Sequence, residues 1–404
     1  MSISKKEKSE AKFLKEMASF RVPQSVTDAA IRLYLESLDC SQARLVQHLY
    51  KSRTASSHGA IARLKIDPDN YGTAEEFESA YLATEFLRKY KDLKTGTDTR
   101  AVAMESLRET EEVCCATNRR FLDLASSGEF SGANVPLLDS VVRIVGQILG
   151  KFDVDRVLEL CAWGPGATFE IKGENTSSSN KFQHGVGITK DCYQLWGRVL
   201  KAAYPSWWGH LIDAGFPTFN LGNRVTTVDK DAEKDRTISI EPDLNSWFQK
   251  GIGSFMQELL IPWGVDLRDQ TPNQRSARKG SVDGTIATID LKNASNTIAY
   301  FVVMALLQKS GNWFAILDAT RSPLGLIDDA WKEWEMFSCM GNGFTFPLQT
   351  IIFLACALAV CEHLGISSEE VVVYGDDILL PTGAVSLFTS FTAFLGFAVN
   401  TKKT

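Results

Sequence analysis

Val371-Val-Val-Tyr-Gly-Asp-Asp-Ile-Leu-Leu380 sets two adjacent carboxylates, Asp376 and Asp377, inside an apolar run. Burying a charge is costly unless it is paired, and a like-charged neighbour adds to the cost. A divalent cation is the simplest partner for such a pair. The Val, Ile and Leu flanks predict two short strands, and Gly375-Asp376 supplies a two-residue hairpin turn of the Gly-X kind. The carboxylates would then project from a hairpin tip, fixed by the ladder on either side. Gly-Asp is also a common turn dipeptide, so Tyr-Gly-Asp-Asp alone equally fits a surface β-turn.

A cation on a hairpin needs further oxygen ligands. Mg²⁺ prefers octahedral oxygen coordination and takes one or two carboxylates plus substrate phosphates. A third carboxylate stands in Gly284-Thr-Ile-Ala-Thr-Ile-Asp-Leu-Lys-Asn-Ala-Ser295. Residues 285–289 alternate polar and β-branched side chains and read as a strand, with Asp290 at its end. Asn293 or Ser295 is expected to cap an apolar helix over 297–307. An Asp at a strand-to-helix junction is often only a cap. With the hairpin, however, it makes a trio of carboxylates able to hold two cations about 4 Å apart, the geometry for in-line displacement at phosphorus.

Between these elements, Phe337-Ser-Cys-Met-Gly-Asn-Gly-Phe-Thr-Phe-Pro-Leu-Gln-Thr350 is a Gly-rich loop entering an apolar helix over 347–364. Pro347 suits its first turn. Gly341 and Gly343 allow close backbone approach to a ligand, and Asn342 and Thr345 offer polar contacts to a sugar or base. The same features fit any loop before a buried helix. Upstream, Val228-Asp-Lys-Asp-Ala-Glu-Lys-Asp-Arg-Thr-Ile-Ser-Ile240 places Lys230, Lys234 and Arg236 before a strand. These cations could cradle a triphosphate, Arg as a planar fork and Lys as a point charge. The interspersed acids also fit a solvated, salt-bridged loop.

The order of these segments resembles a viral RNA-dependent RNA polymerase. In detail, Asp235-Arg-Thr-Ile-Ser-Ile-Glu-Pro242, Gly264-Val-Asp-Leu-Arg-Asp-Gln-Thr-Pro-Asn-Gln-Arg275, Ser338-Cys-Met-Gly-Asn-Gly-Phe-Thr-Phe346 and Gly396-Phe-Ala-Val-Asn-Thr-Lys-Lys-Thr404 resemble the replicase subunit of the single-stranded RNA bacteriophages, the leviviruses and Q-beta-like phages. The likeness is dense over 225–404. Before that, Trp163-Gly-Pro-Gly-Ala-Thr168 is its main anchor.

The resemblance implies that Asp290, Asp376 and Asp377 hold two Mg²⁺ ions, with Mn²⁺ able to substitute. It implies that Lys230, Lys234 and Arg236 grip the incoming triphosphate, and that Gly341, Asn342 and Thr345 shape the pocket for the nascent pair. Lys402 or Lys403 stands where the family has a lysine near the leaving phosphate, in the role of general acid. Two positions depart from the pattern. Asn296 replaces an Asp expected near the ribose, and Gln349 stands where many related polymerases carry Asn. An amide can still bond a 2′-hydroxyl. The implied partners are template and nascent RNA, NTPs, host elongation factors Tu and Ts and a small-subunit ribosomal protein. The implied location is the cytoplasm of an infected bacterium.

The implied fold is α+β, a right-hand polymerase whose antiparallel palm sheet is flanked by helices. Residues 1–150 form a mainly helical N-terminal or fingers region. Residues 151–285 are fingers with the basic arm, part of 244–260 joining the palm, and 286–404 are the catalytic palm. In the family a primer-grip hairpin and a thumb follow, so truncation before them is expected here. A reverse transcriptase, which shares the Tyr-x-Asp-Asp hairpin, and a non-catalytic RNA-binding or assembly fragment are the competing readings.

Composition is compatible with this. At 404 residues and 44% apolar content the chain can build a substantial core. The net charge of -6 is unlike an RNA-binding surface, so positive charge is expected to be local. Arg268, Arg275, Arg278 and Lys279 make one such stretch, as phosphate contacts or as a solvated loop. Trp207-Trp208 could stack on bases but suit a buried core better. The eight cysteines and five histidines show no zinc or disulfide spacing and suit a reducing cytosol. Residues 1–15 are polar, with no signal peptide expected. The apolar run 351–361 is too short to span a bilayer, and no membrane partner is expected.

Overall fold

The computed structural model describes residues 22–127 and 134–401. The chain divides into two compact units, one of Met1–Val102 with Asp229–Arg236, the other of Ala103–Val228 with Thr237–Thr404.

The first unit is helical. Gln24–Ser37, Ser41–Ser52, Ala55–Arg63 and Ala74–Arg88 surround a core containing Ile31, Leu35, Val46, Ile61 and Leu87. Their starts follow local chemistry. Thr54 and Ser57 form a reciprocal capping box, and the Thr73 hydroxyl accepts from Glu76 N. The 229–236 segment is tied in through Ala232, whose N–H donates to Arg88 O at 3.0 Å and whose carbonyl accepts from the Thr95 hydroxyl at 3.1 Å.

The second unit mixes helix and sheet. β1 (Gly187–Thr189) pairs in parallel with β2 (Thr218–Asn220). A four-stranded sheet orders β4 (Asp235–Ile240), β3 (Gly222–Asp229), β6 (Leu324–Ile327) and β7 (Ala330–Glu333). A three-stranded antiparallel sheet orders β5 (Ile286–Ile289), β9 (Asp377–Pro381) and β8 (Val372–Tyr374). The helical residues 103–127 and 134–149, grouped by sequence with the N-terminal region, belong to this unit, where Asn134–Leu149 packs on the Thr345–Leu364 helix.

Thr345–Leu364 is the central core helix, and Ile351, Ile352, Phe353, Ala355, Cys356 and Ala357 are fully buried. It is apolar on every side because neighbours cover every side. The run expected to be too short for a bilayer extends into a 20-residue helix, because Thr345, Pro347, Gln349 and Thr350 join it. By length and composition that helix could cross a membrane, but 83% of its apolar window is buried inside the protein. All eight cysteines are free thiols. Trp207 packs edge-on against Trp163 and Trp247, in the core rather than as a base platform.

The helix expected over 297–307 begins later, at Tyr300, with Ala299 as its N-cap. Neither Asn293 nor Ser295 caps it. Asn293 adopts a left-handed φ of 50° and leads a short 3-10 turn, Ala294–Asn296. Asn is among the few residues that tolerate this backbone.

Candidate active site

The β8–β9 hairpin forms as its residues suggest. Tyr374 pairs with Asp377, leaving Gly375 and Asp376 as the two-residue turn. Gly375 has φ 64°, and a Cβ there would lie 2.2 Å from Phe346 Cε2. No other residue meets both demands. The turn is pinned to the core helix. Gly375 N donates to the Thr350 hydroxyl at 3.1 Å, and the Tyr374 and Phe346 rings meet edge to face at 5.4 Å.

Asp290 follows β5 directly. Ile289 pairs with Ile378, so the next position along the ladder sets Asp290 opposite Asp377. Asp290, Asp376 and Asp377 therefore share one end of the three-stranded sheet. Asp290 and Asp376 are half-buried and Asp377 is exposed.

The expected ligand cluster is not assembled as such. Among the described residues no three His, Cys, Asp or Glu side chains come close enough together to hold a metal ion. A different amide reaches each carboxylate. Asn400 Nδ2 donates to Asp290 Oδ2 at 2.6 Å, and its backbone N–H donates to Asp290 O at 2.8 Å. Gln270 Nε2 donates to Asp377 Oδ2 at 3.1 Å, and Asn273 Nδ2 to Asp377 O at 3.2 Å. Gln349 Nε2 reaches Asp376 Oδ1 at 3.4 Å, while its Oε1 accepts from the Ser295 hydroxyl at 2.7 Å.

Gln349 is fully buried, so its amide serves Asp376 and Ser295 rather than lying open to a ribose. Its truncation should loosen Asp376 without touching the backbone. On the reading that Asp376 holds Mg²⁺, Gln349→Ala is expected to raise the Mg²⁺ concentration for half-maximal activity by roughly 10–100-fold, the usual effect of removing a group that orients a metal ligand. A loss of rate with an unchanged Mg²⁺ requirement would show a packing role only.

The Gly-rich loop differs from its expected use. Gly341 (φ 109°) is exposed, and a Cβ there would lie 2.2 Å from Ser239 O, so its bareness serves β4. Ser239 N donates to Met340 O at 2.7 Å. Asn342 is 7% exposed, and its Oδ1 accepts from Phe344 N at 2.9 Å. Thr345 is 3% exposed, and its hydroxyl contacts Ser338 Oγ at 2.7 Å and Cys339 O at 3.0 Å. Both polar groups face inward and shape the loop. Asn296 is half-buried and joins the same network. It accepts from Met340 N at 3.3 Å, donates to the Thr237 hydroxyl at 3.4 Å, and lies beside Thr237, Ser239 and Cys339.

Lys230, Lys234 and Arg236 belong to the first unit. There Asp231 Oδ1 accepts from Lys234 N at 2.8 Å, and the neighbouring acids pair with cations from elsewhere, Glu233 with Arg63 at 2.7 Å and Asp229 with Lys91 at 3.2 Å. Arg268 forks onto its own loop's Asp266, which lowers the Asp266 pKa to about 2. Lys279 pairs with Glu370, and Arg275 and Arg278 are exposed on the Thr271–Asp283 helix. Lys402 and Lys403 lie outside the described residues. Gln270, Asn273, Thr350 and Asn400 were given no role by sequence reasoning, and Ser295 only that of a helix cap. Gln270, Asn273 and Asn400 fall within the family-like segments, which was their only signal.

A family model described as RNA replicase, beta-chain matches residues 51–404. The chain is 37% identical over 347 residues to the RNA-directed RNA polymerase subunit beta of Escherichia virus Qbeta, covering 84% of this chain and 57% of that protein. It is 35% identical over 332 residues to the RNA-directed RNA polymerase beta chain of Escherichia phage MS2, covering 80% of this chain and 59% of that one. A solved chain titled RdRp complex overlays 65% of this chain and 26% of its own length with a TM-score of 0.36 at 13% identity, too weak a likeness to assign a fold. The chain belongs to the RNA replicase beta-chain family. It spans rather more than half the length of the curated relatives it matches.

Proposed function

We propose that this chain carries the nucleotidyl-transfer centre of a phage RNA replicase, joining NTPs on an RNA template. The observation that carries the reading is the placement of Asp290 opposite Asp377, with Asp376 in the turn beside them, in a chain of this family. Three carboxylates at one sheet end supply the hard oxygen donors that suit Mg²⁺ or Mn²⁺. Two such ions, when bound, supply Lewis-acid activation of a 3′-hydroxyl and charge to stabilise the leaving pyrophosphate. The protein's part is positional. The hairpin fixes Asp376 and Asp377 to the core helix, and Gln349 and Asn400 orient Asp376 and Asp290.

The proposal takes the three-stranded sheet and its helices as a polymerase palm within 286–404, and the earlier regions as fingers. By family resemblance it extends to the elongation factors Tu and Ts, a small-subunit ribosomal protein and the bacterial cytoplasm. Extension of a primed RNA template with NTPs compared with dNTPs tests it. Preferential use of NTPs is expected, and preferential use of dNTPs would favour reverse transcription.

Asn296 gives a finer test. An aspartate at 296 could still accept from Met340 N and from the Thr237 hydroxyl, so the loop should survive. Asn296→Asp is expected to sharpen the preference for NTPs over dNTPs. An unchanged ratio of incorporation efficiencies would remove Asn296 from sugar selection.

A further inference from the structure

β1 is held on its free edge by side chains from the start of the Asp243–Leu260 helix. Asp243 Oδ2 accepts from Gly187 N at 2.8 Å, and Asn245 Oδ1 accepts from Thr189 N at 2.9 Å. Asp243 is fully buried, and its second oxygen, Oδ1, has no donor. Beside it, both carboxylate oxygens of Glu170 and the Oδ1 of Asn220 are buried without a hydrogen bond of ordinary geometry, and only the Asn220 side chain and Glu170's own backbone N–H lie close enough to ease the Glu170 charge.

These oxygens converge. A Cβ on Gly187 would lie 2.2 Å from Asn220 Oδ1 and 2.2 Å from Glu170 Oε1, so both oxygens crowd the same point above that glycine. Asp243 lies within hydrogen-bonding reach of Glu170. The nearby cation makes no hydrogen bond to them, although Lys181 and Asp243 attract one another through space. Lys181 is fully buried, and its ammonium donates instead to Gly164 O at 2.7 Å and Gly166 O at 2.6 Å. Buried acceptors are rarely left without donors, and two buried carboxylates facing one another are strongly unfavourable.

We propose that Glu170, Asp243 and Asn220 form a structural site for a hard divalent cation of the Ca²⁺ or Mg²⁺ class, separate from Asp290, Asp376 and Asp377. The donor set is all oxygen, two carboxylates and an amide carbonyl, which such ions select. A water molecule could donate two hydrogen bonds here but would leave the paired negative charge uncompensated. The ligands come from three separate segments: the loop after Trp163-Gly-Pro-Gly, the end of β2, and the first residue of the Asp243–Leu260 helix. The ion would tie these together next to β1. That helix also carries Gln249, whose Oε1 accepts from Gly343 N at 3.3 Å, so the clamp supports the Gly-rich loop from below. This inference does not depend on the replication reading.

The test uses the chain carrying Asp376→Ala/Asp377→Ala, so that ions at the sheet end contribute little. Calorimetric titration with Ca²⁺, and separately with Mg²⁺, is expected to show one ion bound per chain and a rise in Tm over the EDTA-treated protein. Adding Glu170→Gln should weaken binding by roughly 10-fold or more and remove the rise. Its Tm in EDTA should not fall, because a buried like charge has been removed. Asn220→Asp should act in the opposite direction, tightening binding and lowering the Tm in EDTA. Absence of a bound ion in the starting variant, or binding undiminished by Glu170→Gln, would overturn the proposal. In the former case a shared proton is the alternative. Burial, and then the Asp243 carboxylate, push Glu170 from 4.5 up to about 8. A proton held by the folded state would then make the Tm fall as pH rises across that interval.

Discussion

Asp290→Ala is expected to lower nucleotide incorporation by roughly 10³-fold or more, the scale on which loss of a metal-holding carboxylate removes transition-state stabilisation. The substitution is structurally mild. Asp290 is half-buried, and its backbone stays fixed because Asn400 N still donates to its carbonyl. The flanking bridge between Leu291 and Val399 is also untouched. Stability should therefore change by about 1 kcal/mol or less, and the lost activity cannot be assigned to unfolding. Single-nucleotide incorporation at saturating Mg²⁺, beside a thermal melt, makes the comparison. Retention of more than a tenth of the activity would mean that Asp290 does not act with the hairpin pair.

Gly375→Ala is expected to cost both stability and activity. The left-handed backbone (φ 64°) penalises any Cβ by about 1–2 kcal/mol. Overlap with the Phe346 ring adds about 1–3 kcal/mol of overpacking. The hairpin relieves this only by moving, and Asp376 and Asp377 move with it. Gly375→Asn separates the two causes, since Asn tolerates the backbone but still meets Phe346. It is expected to be no better than Ala. Trimming the ring in Gly375→Ala/Phe346→Ala should recover part of the lost Tm, a coupling that double-mutant analysis of contacting residues detects. Full activity in Gly375→Ala would show that hairpin position does not govern the site.

The residues near the hairpin were legible because their signals are local. The Val, Ile and Leu runs on either side of Gly375-Asp376 define strands and turn together, and the two-residue turn fixes which neighbours pair. Asp290 was legible as the end of such a strand. The errors arise where tertiary contacts override local pattern. Asn293 resembles a helix cap but enters a left-handed turn. Asn342 and Thr345 resemble exposed ligand contacts but are turned inward by Phe344, Ser338 and Cys339. The amides of Gln270, Gln349 and Asn400 stand 107, 27 and 110 residues from the carboxylates they reach, and no periodicity reports such pairs. Glu170 and Asp243 were invisible for the same reason, because only the fold brings them together.

The central claim is that the sheet-end carboxylates catalyse RNA synthesis. The direct measurement is extension of a short primed RNA template by this chain with four NTPs and Mg²⁺, beside the Asp376→Ala/Asp377→Ala variant. Mg²⁺-dependent extension that disappears in the variant is the predicted result. Extension that survives the double substitution would contradict it, as would its absence from both chains even when elongation factors Tu and Ts are supplied.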